Sequence, residues 1–76
     1  MVYYLQKDWA RAVEVLAKDV ELRPDYAPSH YALATSYDRM EDYALALVHY
    51  NKFIEFDDGD DDVRTFQVEQ RIKALQ

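Results

Sequence analysis

The chain has 76 residues, which is enough for one small domain. A domain of this size buries only about 60% of its unfolded surface, so apolar packing alone stabilises it marginally. The sequence has no cysteine, which excludes disulfides and thiolate zinc sites as further support. With one glycine and two prolines, an all-β chain is disfavoured, because hairpin turns use these residues freely. Closely packed helices and association with other chains therefore remain as ways to stabilise a domain of this size.

The charge balance disfavours two classes of partner. Nine lysines and arginines against fifteen aspartates and glutamates give a net charge of −6. A chain this acidic repels phosphate backbones and anionic lipid surfaces, so we expect neither nucleic acid nor a membrane as partner. The first eight residues lack the basic and long apolar regions of a signal peptide. Together with the absence of cysteine, this favours a cytoplasmic protein.

Apolar residues recur with the period of an α-helix along most of the chain. They predict a partial helix at 1–6 and four longer helices at 8–22, 28–39, 42–56 and 61–75. The loops have about two to five residues, so consecutive helices run antiparallel. The predicted core stripes are Trp9, Ala12, Val13, Leu16 and Val20; Leu33, Ala34 and Tyr37; Tyr43, Ala46, Leu47, Tyr50 and Ile54; and, less regularly, Val63, Phe66, Ile72 and Leu75.

The predicted helix ends carry suitable residues. Asp8 and Asp42 stand just before apolar-periodic runs, where a side-chain oxygen accepts from an exposed backbone N–H. Pro24 ends the first long helix because proline lacks a backbone donor. Pro28 opens the next helix, where the missing N–H has no cost. Gly59 closes the third long helix in the left-handed conformation.

The sequence repeats at an offset of 34 residues, which is typical of a helix–turn–helix array. The offset pairs Tyr3 with Tyr37, Asp8 with Asp42, Trp9 with Tyr43, Ala12 with Ala46, Leu16 with Tyr50, Val20 with Ile54, Glu21 with Glu55 and Leu22 with Phe56. This period resembles the tetratricopeptide repeat, whose pattern is W-x2-L-G-x2-Y, then A-x3-F, then P. The pattern positions of the second unit hold, in order, His30, Leu33, Ala34, Tyr37, Ala46, Tyr50 and Asp58.

The resemblance implies one all-α domain over residues 1–76. It would be a short right-handed superhelix of antiparallel helix–turn–helix repeats. Residues 1–26 form an incomplete first repeat, residues 27–60 a complete one and residues 61–76 a solvating capping helix. The family's usual glycine before the second helix of a repeat is missing, and Glu41 stands there in the complete unit.

The resemblance also implies a protein-interaction scaffold. In such arrays the first helices line a concave groove, which binds an extended peptide or a helix of a partner. On the complete first helix the groove residues are Tyr31, Thr35, Asp38 and Arg39, and Tyr4 joins them from the partial helix. In the tail helix, the equivalents of Tyr31 and Thr35 are Thr65 and Glu69.

Two tyrosines in this groove suit a binding surface. Tyr4 and Tyr31 bring large apolar area with few rotatable bonds, as interface anchors commonly do. The mixed surface suits an extended peptide with a basic or aromatic element. Arg39 is its one cation, which is too few for the clamp that some such repeats form around a partner's terminal carboxylates.

Self-association is the alternative. Repeat units cannot bury their apolar faces alone and about three are normally needed, whereas this chain holds about two. Helix 1–6 would expose Val2, Tyr3 and Leu5, and an uncovered apolar patch tends to find a partner. We therefore also consider a homodimer through this helix, or a larger array of which the chain is a fragment.

Sequence motifs for catalysis are missing. No Ser–His–Asp arrangement, glycine-rich phosphate loop or supported carboxylate pair occurs, so we expect no enzyme, cofactor or metal. Counting from Asp57, an EF-hand loop would need its glycine sixth and a glutamate twelfth, where Val68 stands. His30 and His49 lack a third ligand, so we expect His30 at the core edge and His49 at the surface.

Overall fold

Four helices follow one another in the part of the chain that the structure describes. The computed structural model describes residues 8–57, 59 and 62–76, and these contain no strand. Helix α1 spans Trp9–Leu22, α2 spans Ala27–Arg39, α3 spans Tyr43–Phe56 and α4 spans Asp62–Leu75. The all-α class is confirmed, and each predicted end of these helices is correct to within one residue. The helix predicted at 1–6 lies outside the described residues.

The helices begin and end for the local reasons that the sequence indicates. The carboxylates of Asp8 and Asp42 accept from backbone N–H groups one turn into α1 and α3, each at 3.4 Å. Helix α1 ends two residues before Pro24, and Pro28 lies in the first turn of α2, where a missing donor is tolerated. Gly59 has a φ of 85°, in the left-handed region that glycine adopts without strain.

A second left-handed residue lies in the turn between α2 and α3. Glu41 has a φ of 64°. Its backbone N–H donates to the carbonyl of Asp38 at 3.0 Å, and that of Asp42 donates to Tyr37 at 2.9 Å, so the last carbonyls of α2 are satisfied. A side chain costs about 1–2 kcal/mol in this conformation, because Cβ approaches the carbonyl oxygen. The tight connection is thus kept despite an unfavourable residue.

The core consists of two clusters that share α2. Consecutive helices pack on one another, most extensively α2 on α3 and least extensively α3 on α4. The first core cluster joins α1 to α2 through Ala12, Leu16 and Leu33. The second core cluster joins α2, α3 and α4; its buried members are Ala27, Ala34, Ala46, Tyr50, Phe53 and Val68. Tyr37 packs against both clusters, so α2 is covered on two sides.

The apolar stripe predicted for α4 is half wrong. Val63 and Phe66 are 68% and 62% exposed, whereas Val68, which the stripe omitted, is buried. Ile72 and Leu75 pack against the second core cluster as expected. Only α3 packs extensively on α4, so α4 buries one narrow face. The rest of its surface faces solvent and includes the two large apolar side chains of Val63 and Phe66. The expected capping helix would instead present polar side chains to solvent.

Close approach of α2 and α3 depends on two fully buried alanines. Ala34 and Ala46 both have 0% exposed surface within the second core cluster. We expect Ala46→Leu to lower the free energy of unfolding by about 2–3 kcal/mol, because a larger side chain forces helices or rotamers out of place. Ala44→Leu, the same change on the exposed side of α3, should alter it by less than about 0.5 kcal/mol. Urea unfolding of both variants measures the difference; equal effects would contradict this packing.

The left-handed turn generates a stability prediction of opposite sign. We expect Glu41→Gly to raise the free energy of unfolding by about 0.5 kcal/mol, since the lost Cβ strain exceeds the extra chain entropy. The matched control is Glu14→Gly in the middle of α1, which should lower it by about 1 kcal/mol. Thermal unfolding measures both changes. Similar losses in the two variants would show that Glu41 is not held in the left-handed region.

Candidate functional site

The predicted groove residues of α2 lie around one open surface depression. Its volume is about 330 Å³, at the lower end of the range of ligand pockets. We call it the α2–α4 depression; its lining residues are Tyr31, Thr35, Asp38 and Arg39 of α2, Tyr50 of α3, and Gln67, Val68 and Arg71 of α4. Every predicted groove residue of the complete first helix thus contributes. Tyr4 lies outside the described residues.

Helical spacing brings these side chains together. Tyr31, Thr35 and Asp38 lie at i, i+4 and i+7, which places them on one face of α2. The contribution of α4 differs from the expectation. Thr65 instead donates its hydroxyl hydrogen to Asp57 at 2.6 Å, and Glu69 lies beside a different surface hollow that Asn51, Ile54 and Lys73 also line. Helix α4 is rotated because Val68 enters the core, and this rotation turns Gln67 and Arg71 toward the depression.

A bidentate ion pair joins the two sides of the depression. Arg71 donates from Nε to Oδ2 of Asp38 at 2.7 Å and from Nη2 to Oδ1 at 2.6 Å. The hydroxyl of Tyr50 donates to Oδ2 at 2.9 Å. Arg71 is the main cause that lowers the pKa of the Asp38 carboxyl, and Tyr50 adds to this. Burial, and then the bond to Asp38, raise the pKa of Tyr50 to about 12.

This ion pair changes the expected role of Asp38. Its side chain is only 10% exposed, and both oxygens accept hydrogen bonds from the protein itself. Asp38 therefore lines the depression but does not offer a partner an open carboxylate. Sequence reasoning missed Arg71, which is 33 residues away, because nothing local to either residue indicates the contact.

The remaining α2 residues differ in how firmly they are held. The Tyr31 ring packs against Phe53 with centroids 5.5 Å apart, and the Arg64 guanidinium lies 4.7 Å from its centroid. Thr35 donates to the carbonyl of Tyr31 at 2.9 Å, one turn back on its own helix. Arg39 is exposed at the end of α2 and makes no hydrogen bond or ion pair with the described residues. Tyr31 is therefore a fixed aromatic surface in the depression, and Arg39, two turns farther along α2, is a cation open to a partner.

The two histidines form a pair at the interface of α2 and α3. His30 Nδ1 and His49 Nδ1 are 3.1 Å apart, and the ring centroids are 5.3 Å apart with planes inclined by 19°. The centroid separation exceeds the nitrogen separation by about twice the distance from an imidazole centroid to its own nitrogen. The rings therefore lie edge to edge, nearly coplanar, with the two Nδ1 atoms directed at each other.

The surroundings determine the tautomers of this pair. His30 Nε2 lies 2.6 Å from the carbonyl oxygen of Pro24, so it carries the hydrogen and donates. In neutral His30, Nδ1 is then an acceptor, and His49 donates to it from Nδ1. Phe56 packs on His30 and Tyr37 on His49, each with ring centroids 5.7 Å apart. The contact excludes the state in which both rings are imidazolium, because Nδ1–H would then face Nδ1–H.

Both histidine expectations are wrong in detail. His30 is 1% exposed and lies in the interior rather than at the core edge. His49 is partly buried against His30 and Tyr37 rather than lying on the surface. Burial, followed by repulsion from His30 and Lys52, lowers the pKa of His49 to about 4. The sequence held no signal for the pair, because the two residues are 19 positions apart on different helices.

Comparisons with known protein families, with curated proteins and with solved structures found no match. Two findings concern only residues 8–57, 59 and 62–76. No helix in these ranges is both long and apolar enough to cross a membrane. They also contain no cluster of three or more His, Cys, Asp or Glu side chains that could hold a metal ion.

The histidine pair predicts a loss of stability at mildly acidic pH. Unfolded His49 takes up a proton near its ordinary pKa of 6.5, whereas folded His49 does so only near 4. The unfolded state therefore binds more protons below 6.5, and stability that is complete above that pH falls as the pH is lowered. We expect a loss of about 1 kcal/mol between pH 7.5 and 5, after discounting for the partial exposure of His49.

Urea unfolding at pH 7.5, 6.5, 5.5 and 5.0 measures this loss. The control is His49→Gln, whose amide can still donate to His30 but does not titrate. The variant should show a shallower dependence of the unfolding free energy on pH over this range. An identical dependence in the two proteins would show that His49 does not contribute.

Proposed function

We propose that this chain is a protein-interaction module of the tetratricopeptide type, which binds an extended peptide segment of a partner in the α2–α4 depression. The observation that carries the proposal is the coincidence of two independent lines of reasoning. The repeat register selected Tyr31, Thr35, Asp38 and Arg39 as groove residues, and these four side chains line one open depression. A partner protein, rather than nucleic acid or a membrane, is the occupant that this proposal assigns.

Four features support the repeat assignment. The chain has 34-residue self-similarity, and its helices pack in sequence order on their neighbours. The positions for small residues in the repeat pattern hold Ala34 and Ala46, both fully buried where α2 and α3 meet. Glu41 adopts the left-handed conformation at the position where the family pattern has glycine. In this proposal residues 1–26, 27–60 and 61–76 are the incomplete repeat, the complete repeat and the end helix.

The mechanism would be passive binding by a preformed surface. Tyr31 is held between Phe53 and Arg64, so little side-chain entropy remains to be lost when a partner packs on it. The Asp38–Arg71 pair holds the opposite wall in place. No catalytic role is proposed, and a cytoplasmic location belongs to the same proposal. Self-association through Val2, Tyr3 and Leu5 stays a prediction, because these residues lie outside the described part of the chain.

Peptide selection tests the proposal. Random 12-residue peptides displayed on phage would be selected on the folded chain, and the bound peptides mapped by amide chemical shifts of labelled protein. We expect the largest shifts at α2 and α4 around the depression. Tyr31→Ala should weaken the selected peptides by about tenfold or more, as truncation of an aromatic anchor does.

The matched control is Tyr26→Ala. Tyr26 also has an arginine on its ring, Arg23 at 4.1 Å, but it is exposed, whereas Tyr31 is partly buried, and it lies in the turn between α1 and α2. Its removal should leave affinity unchanged within about twofold. Equal affinities of Tyr31→Ala and the unmodified chain, or shifts confined to other surfaces, would contradict the proposed function.

A further inference from the structure

We propose that the peptide segment bound in the α2–α4 depression is acidic, and that its side-chain carboxylates pair with Arg39. This inference rests on the proposed function and names the chemistry of the partner. The mixed surface of tyrosine, threonine, aspartate and arginine indicated by the sequence alone suits a basic or aromatic element. The contacts of the folded chain favour an acidic element in place of the basic one. An aromatic element in the partner is still compatible with Tyr31.

Positive charge gathers around the depression in a chain that is acidic as a whole. Arg39 and Arg71 line it, and Arg64 lies over the ring of Tyr31 at its edge. Asp38 is the one carboxylate among the described lining residues. The whole chain, by contrast, has fifteen acidic residues against nine basic ones. The sign of the charge at the depression is therefore opposite to that of the molecule.

The single anion is already neutralised. Asp38 accepts two hydrogen bonds from Arg71 and one from Tyr50, with nitrogen–oxygen and oxygen–oxygen distances of 2.6 to 2.9 Å. Asp38 and Arg71 together have no net charge. Arg39 makes no ion pair with the described residues and only adds a weaker charge attraction to Asp38, so it supplies the remaining positive charge on the α2 side.

The hydrogen-bonding groups favour the same partner. Arg39 presents five N–H donors and no acceptor, and the Gln67 amide adds two donors and one acceptor oxygen at the depression. A carboxylate is the natural complement, because it accepts two parallel bonds from one guanidinium. A lysine or arginine of a partner would instead meet Arg39 and find the oxygens of Asp38 occupied. Like charges brought together in this way oppose binding.

The negative net charge does not prevent such a complex. The described chain extends 27 × 25 × 19 Å, whereas the screening length is about 8 Å at physiological ionic strength. Acidic groups on the far surfaces are therefore largely screened, while a contact with Arg39 is not. The overall repulsion instead penalises acidic segments that approach elsewhere, which directs binding to this site.

Three labelled peptides of matched sequence test the inference. Each has 12 residues with one central tyrosine and four variable positions, which are all Glu, all Gln or all Lys. Acetylated and amidated ends remove terminal charges, so only side-chain carboxylates can act. Fluorescence anisotropy at 0.15 M salt should show the Glu peptide binding at least tenfold more tightly than the Gln peptide. The Lys peptide should bind no more tightly than the Gln peptide.

Two charge-reversing variants locate the effect. Arg39→Glu should abolish the preference for Glu over Gln. Lys18→Glu changes the net charge equally but lies on α1, beside Arg11, Glu14 and Val15 on another surface. It should leave the preference within about twofold, because screened charges at a distance contribute little. Equal losses in both variants would show that binding follows net charge alone and would overturn the inference.

The remaining outcomes separate this inference from the proposed function. Selected peptides that shift the depression residues but bind equally as Glu and Gln forms would overturn the acidic partner and leave peptide binding intact. Failure of every peptide, selected or designed, to shift these residues would overturn both. Sedimentation of the free chain tests whether a second copy of the chain occupies the depression. A dimer that Arg39→Glu dissociates would assign the depression to that second copy and overturn the peptide partner.

Discussion

The Asp38 carboxylate is the point at which three of the four helices meet. It projects from α2, accepts the Tyr50 hydroxyl from α3, and accepts two N–H groups of Arg71 from α4. Taking a carboxylate out of water is costly unless its lone pairs find other donors. Here three hydrogen bonds supply them, so the largely buried charge holds the helices together instead of destabilising them.

The position of α4 depends on this contact more than those of the other helices do. Helix α4 packs less extensively on α3 than α2 does, and its apolar contribution is a narrow face of Val68, Ile72 and Leu75. A narrow face leaves rotation about the helix axis weakly determined. Burial of Val68 determines which side of α4 faces inward, and Arg71 restricts the rotation further, because a planar guanidinium binds a carboxylate in two-point fashion only over a small range of angles. That rotation also places Gln67 at the depression, so one ion pair shapes the site and neutralises its anion.

The features that depend on residues close together in the sequence could be predicted, and those that depend on contacts between distant residues could not. Helix bounds follow from caps and prolines that lie within a turn of each end, so the local sequence predicts them accurately. The α2 side of the site followed from helical spacing, because Tyr31, Thr35 and Asp38 share a face whatever the neighbours are. The contributions of α4 could not be predicted, since Arg71 reaches Asp38 across 33 residues. For the same reason the apolar pattern predicts buried positions for Val63 and Phe66, which the fold leaves exposed: periodicity shows a stripe but not which side a neighbouring helix covers.

Polar contacts between helices determine the register of the close packing that the alanines allow. Ala34 and Ala46 allow α2 and α3 to approach, but a smooth surface of small side chains does not determine how far one helix slides along the other. Directional contacts do, and α2 has one to each neighbour: Ser29 donates to Asp19 of α1, His30 contacts His49 of α3, and Asp38 receives Arg71 of α4.

Two of these contacts lie in the first turn of α2 and the third lies in its last turn. Sliding by one turn would separate every donor from its acceptor and leave polar groups unpaired inside the protein, which costs about 1–3 kcal/mol for each. No described buried side-chain nitrogen or oxygen lacks a partner in the arrangement observed. We infer that polar pairing specifies the register of this small core while apolar burial supplies most of its stability. The helix that carries Tyr31 and Arg39 is therefore the one whose position is most fully determined, and a preformed binding surface needs such a helix.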